Sequence, residues 1–357
     1  MDLKILQKIN DESIKAAGER YSPIINPDAP NLEIAPLVSA IEALAVSDKY
    51  KSYIFDLEES VSKAWKESPK ETTELFSSSS PDSLVRLLNI LKNQKPGKSE
   101  LTFKLLKKLT GNLIAILQKE SNLLYKKERG LKEYSQEWYA IQSSLSNIRK
   151  LESALRRVSS FVDSLDSKFV LTNRMLLLGD WGTGKTHLLC DITKGRISRN
   201  LPSLFFLAHR LPQNVSPLEA ICNATQIATS PEVLLEELDK LGNASGTRAL
   251  LIIDGINEAD QKMWRKHMHD VILMVKKYKN VALILSCRTP FDRYIFLKSN
   301  REMFVKIFHI GFQEIEFNAQ RIFFKHYNIP NPHIPLLTPE FSRPLFLKII
   351  CLTFSGK

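Results

Sequence analysis

Eight residues constrain this chain more than any others: Gly179-Asp-Trp-Gly-Thr-Gly-Lys-Thr186 fits the pattern G-x-x-x-x-G-K-[ST]. Glycines at these spacings reach backbone angles closed to other residues, so consecutive N–H groups can converge on one anion. Lys185 is expected to reach the β- and γ-phosphates of a nucleotide, and the Thr186 hydroxyl to ligate Mg²⁺. The flanks agree. Met175 to Leu178 reads as the strand feeding the loop, and Thr186 to Lys194 as a helix whose N-terminus favours an anion. The nucleotide-contacting set read from this stretch is Gly179, Asp180, Trp181, Gly182, Thr183, Gly184, Lys185, Thr186 and His187.

Downstream, Ala249-Leu-Leu-Ile-Ile-Asp254 is an apolar run ending in an acid. At the C-terminal edge of a parallel sheet Asp254 would stand beside the loop and steady the metal. Glu258 follows four residues on, where it could orient an attacking water; the bland alternative is a surface acid at a helix start. Val281 to Arg288 is a second core strand with a polar tip. Arg288 there could contact the γ-phosphate, or be an ordinary exposed arginine.

The texture of the chain changes near residue 170. Arg174–Leu178, Ser203–Ala208, Ala249–Ile253 and Val281–Ser286 are too apolar to face water on either side, as in a parallel sheet covered by helices. Earlier residues read almost wholly as helix, including Leu3–Glu19 and Ile34–Ser47, with loops at Tyr21–Pro30, Ser77–Pro81 and Gln94–Ser99. Trp138, Ile141, Leu145, Ile148, Leu151, Leu155, Val158, Val162 and Leu165 recur at steps of three and four, one stripe on one long helix. The heptad phase slips between Ile148 and Leu151, which favours bundle core over a coiled-coil seam. Phe317–Tyr327 and Pro344–Leu352 again read as helices. The expected fold class is α/β, a P-loop NTPase parallel sheet flanked by helices. Its expected domains are 1–168, all-helical; 169–313, nucleotide-binding; and 314–357, the beginning of a helical domain.

Cys190, Cys222, Cys287 and Cys351 form no metal or redox spacing and read as buried thiols of a reducing compartment. With no signal-peptide pattern and no apolar run of membrane length, a cytoplasmic protein is expected. The net charge of +11 invites a nucleic-acid partner, but it is spread thinly. Residues 1–100 carry 13 basic against 16 acidic side chains, 101–170 carry 13 against 7, and 171–357 carry 24 against 16. A solvated basic surface is the preferred explanation.

Together these motifs resemble the STAND class of signalling NTPases, most closely its bacterial antiviral members, relatives of the NACHT proteins. The resemblance is carried by Leu176 to Leu189, by Ile253-Asp-Gly-Ile-Asn-Glu258 with Trp264, by Ile284 to Arg288 and by Pro344 to Cys351. Ala17-Gly-Glu-Arg-Tyr-Ser-Pro23 looks like a segment found ahead of the ATPase in the bacterial proteins. The resemblance implies a sensor role for Arg288 and a proline, Pro344, packed near the adenine. Ser342 replaces the family's usual glycine, and Asn257 stands where many NACHT proteins carry a second acid. It further implies ATP/ADP with Mg²⁺, ATP-dependent homo-oligomers, and a trigger such as a phage protein sensed by regions outside this chain. A winged helix and sensor repeats are expected after Lys357, so the chain reads as truncated or unusually short.

The expected function is a slow ATPase switch controlling assembly. Two alternatives stand beside it: an AAA+-like ATPase loading DNA or regulating transposition, and a helical interaction module whose loop binds nucleotide without turnover. A small-molecule kinase fits less well, because no arginine-rich lid follows Asp254.

Overall fold

A computed structural model describes residues 2–21, 35–68, 81–93, 100–330 and 338–355. The chain runs through α1 (Leu3–Ala17), α2 (Ala35–Ala45), α3 (Asp48–Lys66), α4 (Pro81–Lys92), α5 (Glu100–Glu128), α6 (Gln136–Asp163) and α7 (Leu165–Leu171). Then come β1 (Arg174–Gly179), α8 (Lys185–Ile197), β2 (Ser203–Leu207), α9 (Pro217–Thr225), α10 (Pro231–Ser245), β3 (Ala249–Asp254), α11 (Gln261–Lys277) and β4 (Val281–Arg288). Two short helices, α12 (Asp292–Ile295) and α13 (Lys298–Glu302), precede β5 (Val305–Phe308), and α14 (Glu316–His326) and α15 (Pro344–Ser355) complete the order.

The residues fall into two compact units. One holds Met1–Ala45 with Thr172–Lys357, the other Val46–Leu171. The expected all-helical domain 1–168 is divided between these units, with α1 and α2 grouped with the sheet. Helix periodicity is visible in Leu3–Ala17, but it does not reveal which core the helix joins. Leu6 belongs to the core of the sheet unit. Asn10, fully buried, donates through Nδ2 to the Ser203 carbonyl and accepts from Phe205 N–H, both at 2.8 Å. One side chain thereby satisfies backbone groups along the outer rim of β2, which would otherwise be an open sheet edge. The end of α2 is tied in similarly: Arg248 donates to the Leu44 carbonyl at 2.9 Å and, through its main chain, to Ala45 at 2.7 Å.

The five strands are all parallel in the order β2-β3-β4-β1-β5. Every residue of β1, β2 and β3 is buried, which explains their unbroken apolar sequences. β5 is legible only weakly: it is an edge strand of four residues, with Lys306 interrupting its apolar character and Phe308 exposed. β1 lies between β4 and β5, so the crevice at its C-terminal end is where connections leave in opposite directions. Phe312, Ala319, Phe323, Phe324, Phe341, Leu347 and Cys351 form a second, smaller core. The expected separate segment 314–357 thus has its own packing but lies within the sheet unit.

The other unit is a helix bundle. Leu145, Ile148, Leu151, Leu155 and Val158 are buried along α6, joined by Ala154 and Phe161. Phe161 meets the rings of Tyr50, Tyr53 and Phe103 at centroid distances near 6 Å, 6.2, 6.0 and 6.0 Å respectively. The stripe is therefore bundle core. It stops short of the expected Leu165, because Ser164 has extended backbone angles, φ −72° and ψ 165°, and ends α6; Leu165 is exposed on α7. Pro81, expected in a loop, opens α4, a position that suits its fixed φ. The loops expected at 77–80 and 94–99, and all but Tyr21 of 21–30, lie outside the described residues. Among the described residues no helix is long and apolar enough to cross a membrane.

Candidate nucleotide site

Sheet register assembles the candidate site. Gly179 at the tip of β1 pairs with Arg288 at the tip of β4, and Asp254 ends β3 opposite Leu207. Three strands therefore deliver the loop, the acid and the arginine to one edge.

Within the loop, Gly182 and Gly184 have φ of 76° and 101°, values that only glycine adopts without strain. The turn is crowded from behind. A Cβ on Gly179 would lie 2.5 Å from the His309 carbonyl, and one on Gly182 would lie 3.2 Å from Leu345 Cβ. Thr183 closes the turn by donating to the Asp180 carbonyl at 3.0 Å, whereas Trp181 extends to solvent, 58% exposed. Lys185 folds back over the loop, donating from Nζ to the Gly179 and Asp180 carbonyls at 2.7 and 2.8 Å. Burial pushes its pKa down, with Asp254 opposing the shift.

Thr186 donates through Oγ1 to Asp254 Oδ2 at 2.6 Å, and Ser286 donates to Asp254 Oδ1. Ser286 in turn accepts from Gly255 N–H at 2.8 Å. Asp254 is 2% exposed; burial raises its pKa, while the two hydroxyls and Lys185 pull it back. These residues suit a nucleotide with magnesium. The glycine turn has the left-handed backbone angles that let N–H groups converge on an anion, Thr186 and Asp254 offer hard oxygen donors side by side, and Lys185 rests on carbonyls it can exchange for phosphate oxygens.

Glu258 ends a single 3₁₀ turn, Ile256–Glu258, entered through Gly255 at φ 72°. It is not a solitary surface acid. Its Oε1 lies 2.9 Å from Arg288 Nη2, its Oε2 2.6 Å from Arg20 Nη1, and His209 Nδ1 is 3.7 Å from Oε2. Asn257 accepts from Arg288 N–H at 2.9 Å, so the amide in place of a second acid holds the tip of β4.

His187 and Pro344 lie to the sides. His187 pairs with Asp191 at 3.1 Å and meets the Tyr21 ring in a tilted contact, 5.0 Å between centroids. Pro344 Cγ would be 3.5 Å from a Cβ on Gly184, and Leu345 N–H donates to the Gly182 carbonyl at 3.2 Å. The start of α15 thus abuts the loop. Ser342, where the family carries glycine, accepts through its carbonyl from Phe312 N–H at 2.6 Å and donates its hydroxyl to the Pro339 carbonyl at 2.6 Å.

Sequence reasoning missed Arg20, Ser286 and His309. Ser286 had a faint signal, a hydroxyl inside an aliphatic strand. His309 had none, since β5 was not recognised. Buried directly behind the loop, it accepts at Nδ1 from Gly311 N–H at 3.1 Å, which leaves the proton on Nε2, facing Gly184. Burial, with Lys185 adding, pushes its pKa down to about 3.

Residues 173–324 match the NACHT domain family. Among solved structures, C. elegans PCH-2 is similar over 76% of this chain and 62% of its own, at 11% identity and a TM-score of 0.27. The chain therefore spans less than two thirds of that protein, and a likeness this loose carries no functional meaning. No curated protein matches the chain. The matched stretch begins one residue before β1 and carries the loop, the buried acid and all five parallel strands, and it supports a P-loop NTPase of the STAND class, with a NACHT domain at residues 173–324.

Proposed function

We propose that this protein is a nucleotide switch that binds ATP with Mg²⁺, hydrolyses it slowly, and uses the difference between ATP and ADP to control self-assembly in antiviral or stress signalling. The observation that carries this reading is the Thr186–Asp254–Ser286 network beside a glycine turn whose lysine rests on its own carbonyls. Lys185 and the loop amides would hold the phosphates, and Thr186 and Asp254 the metal. Glu258 would orient the attacking water and Arg288 answer the charge of the terminal phosphate. Magnesium, when bound, offsets phosphate charge and fixes the geometry of transfer.

Slow turnover is supported by the engagement of Glu258, whose two oxygens both face guanidinium groups. A switch function is supported by the contact of Pro344 and Leu345 with the loop, because a bound nucleotide would lie where the second core meets the sheet. The two nucleotides shift such an equilibrium only through different affinities for its two arrangements. Light scattering on size-separated protein tests the reading. ATP with Mg²⁺ is expected to produce a larger species than ADP, and Lys185→Ala to abolish the difference. Identical mass with either nucleotide would refute the switch. ATP-stimulated, salt-sensitive assembly on duplex DNA would favour a DNA-loading ATPase in its place.

A further inference from the structure

Helix α1 ends at Gly18, whose φ of 55° and ψ of −130° turn the chain into a short strap, Gly18–Tyr21. The strap is anchored to two helices. Tyr21 donates from its hydroxyl to Asp191 Oδ1 on α8 at 2.7 Å, its ring lies 5.0 Å from that of His187, and Lys194 Nζ is 5.0 Å above it. Lys348 Nζ of α15 donates to the Glu19 carbonyl at 2.9 Å. Between these anchors Arg20 reaches Glu258 Oε2 at 2.6 Å, across 238 positions of sequence.

The consequence lies in how Glu258 is shared. Arg288 holds Oε1 and Arg20 holds Oε2, with His209 beside the second oxygen. A carboxylate orients water through an oxygen turned toward it, and a guanidinium on each oxygen competes with that task. An isolated ion pair this exposed, with Arg20 at 47%, would be a weak competitor. The Tyr21 and Glu19 anchors change that, because they keep Arg20 at high local concentration beside Glu258.

We propose that Arg20 is a positioning residue that acts through Glu258: the strap holds the carboxylate between two arginines, and turnover requires Arg20 to withdraw. This rests on the reading of Glu258 as the water-orienting group. Because the strap also touches α8 and α15, its release would couple hydrolysis to movement of either element.

The experiment has two arms on the full chain. In the first, steady-state phosphate release is measured for wild type, Arg20→Gln and Arg20→Lys. Arg20→Gln is expected to raise kcat roughly fivefold, the scale of one exposed ion pair, with KM changed by less than about twofold. Arg20→Lys keeps a cation and should return kcat most of the way to wild type. Asp191→Asn, which loosens Tyr21 without touching Glu258, should raise kcat in the same direction. An unchanged or lower kcat in Arg20→Gln overturns the proposal.

The second arm needs no turnover. Trypsin cuts after Arg20, and Glu258→Gln is expected to speed that cut several-fold; equal rates in the two proteins overturn the clamp. Titration calorimetry with ATP on the wild type separates the failures. Absent nucleotide binding refutes the reading of the site, while the tryptic comparison still decides whether Glu258 holds Arg20.

Discussion

Thr186 Oγ1 lies 2.6 Å from Asp254 Oδ2, joining the first turn of α8 to the tip of β3. The hydroxyl and the carboxylate that would share a metal are therefore already in register, with Ser286 fixing the second oxygen. The arrangement is costly while the carboxylate stands charged in a buried place, and that cost makes its first consequence measurable.

Asp254→Asn should separate stability from function. Burial raises the pKa of the native carboxyl above its ordinary value, so its ionised form disfavours the fold as pH rises beyond the ordinary carboxylate range. Without nucleotide the asparagine variant is expected to melt at or above the wild-type temperature at pH 7. With ATP and Mg²⁺ at a hundred times Kd the wild type should gain about 2.7 kcal/mol, and the variant little. Thermal unfolding with and without ligand checks both halves.

His309 should make the protein acid-sensitive. Its pKa is held near 3, against an ordinary value of 6.5. Between those values the unfolded chain takes up a proton that the native site refuses, so stability falls as pH drops below about 6.5. At pH 5 the contribution is about 2 kcal/mol, and His309→Gln should flatten that part of the profile. Denaturant titrations from pH 7.5 to pH 4.5 measure the slope.

Gly311 should resist substitution. Its φ is 78°, and an added Cβ would collide with the Ser342 carbonyl. Gly311→Ala is expected to cost about 1–3 kcal/mol and to weaken nucleotide binding, because the segment it displaces carries Pro344 and Leu345 against the loop. A variant that melts and binds as wild type would remove α15 from the account of the site.

Much of this arrangement is legible in the residues. The glycine loop, the acid ending an apolar strand and the arginine ending the next each announce a strand tip by pattern, and parallel pairing brings the tips together. What stays hidden is long-range. Asn10 reads as one polar residue on an amphipathic helix, yet it completes the rim of β2 from about 190 positions away. Arg20 stands in the Ala17-Gly-Glu-Arg-Tyr-Ser-Pro23 segment, and nothing local says that its partner is Glu258. β5 is short, on an edge and interrupted by a lysine, so His309 and its place behind the loop are lost with it. Leu165 shows the opposite limit: apolar spacing continues past the point where Ser164 breaks the helix.

A nucleotide switch of this kind requires that the loop around Lys185 grip a triphosphate. Calorimetric titration of ATP with Mg²⁺ into wild type and Lys185→Ala, after removal of any co-purified nucleotide, tests it most directly. Saturable one-to-one binding by the wild type is expected. Loss of the lysine should weaken it by about tenfold to a hundredfold or more, the scale of its charge-assisted bonds. Equal affinity in the two proteins would contradict the account.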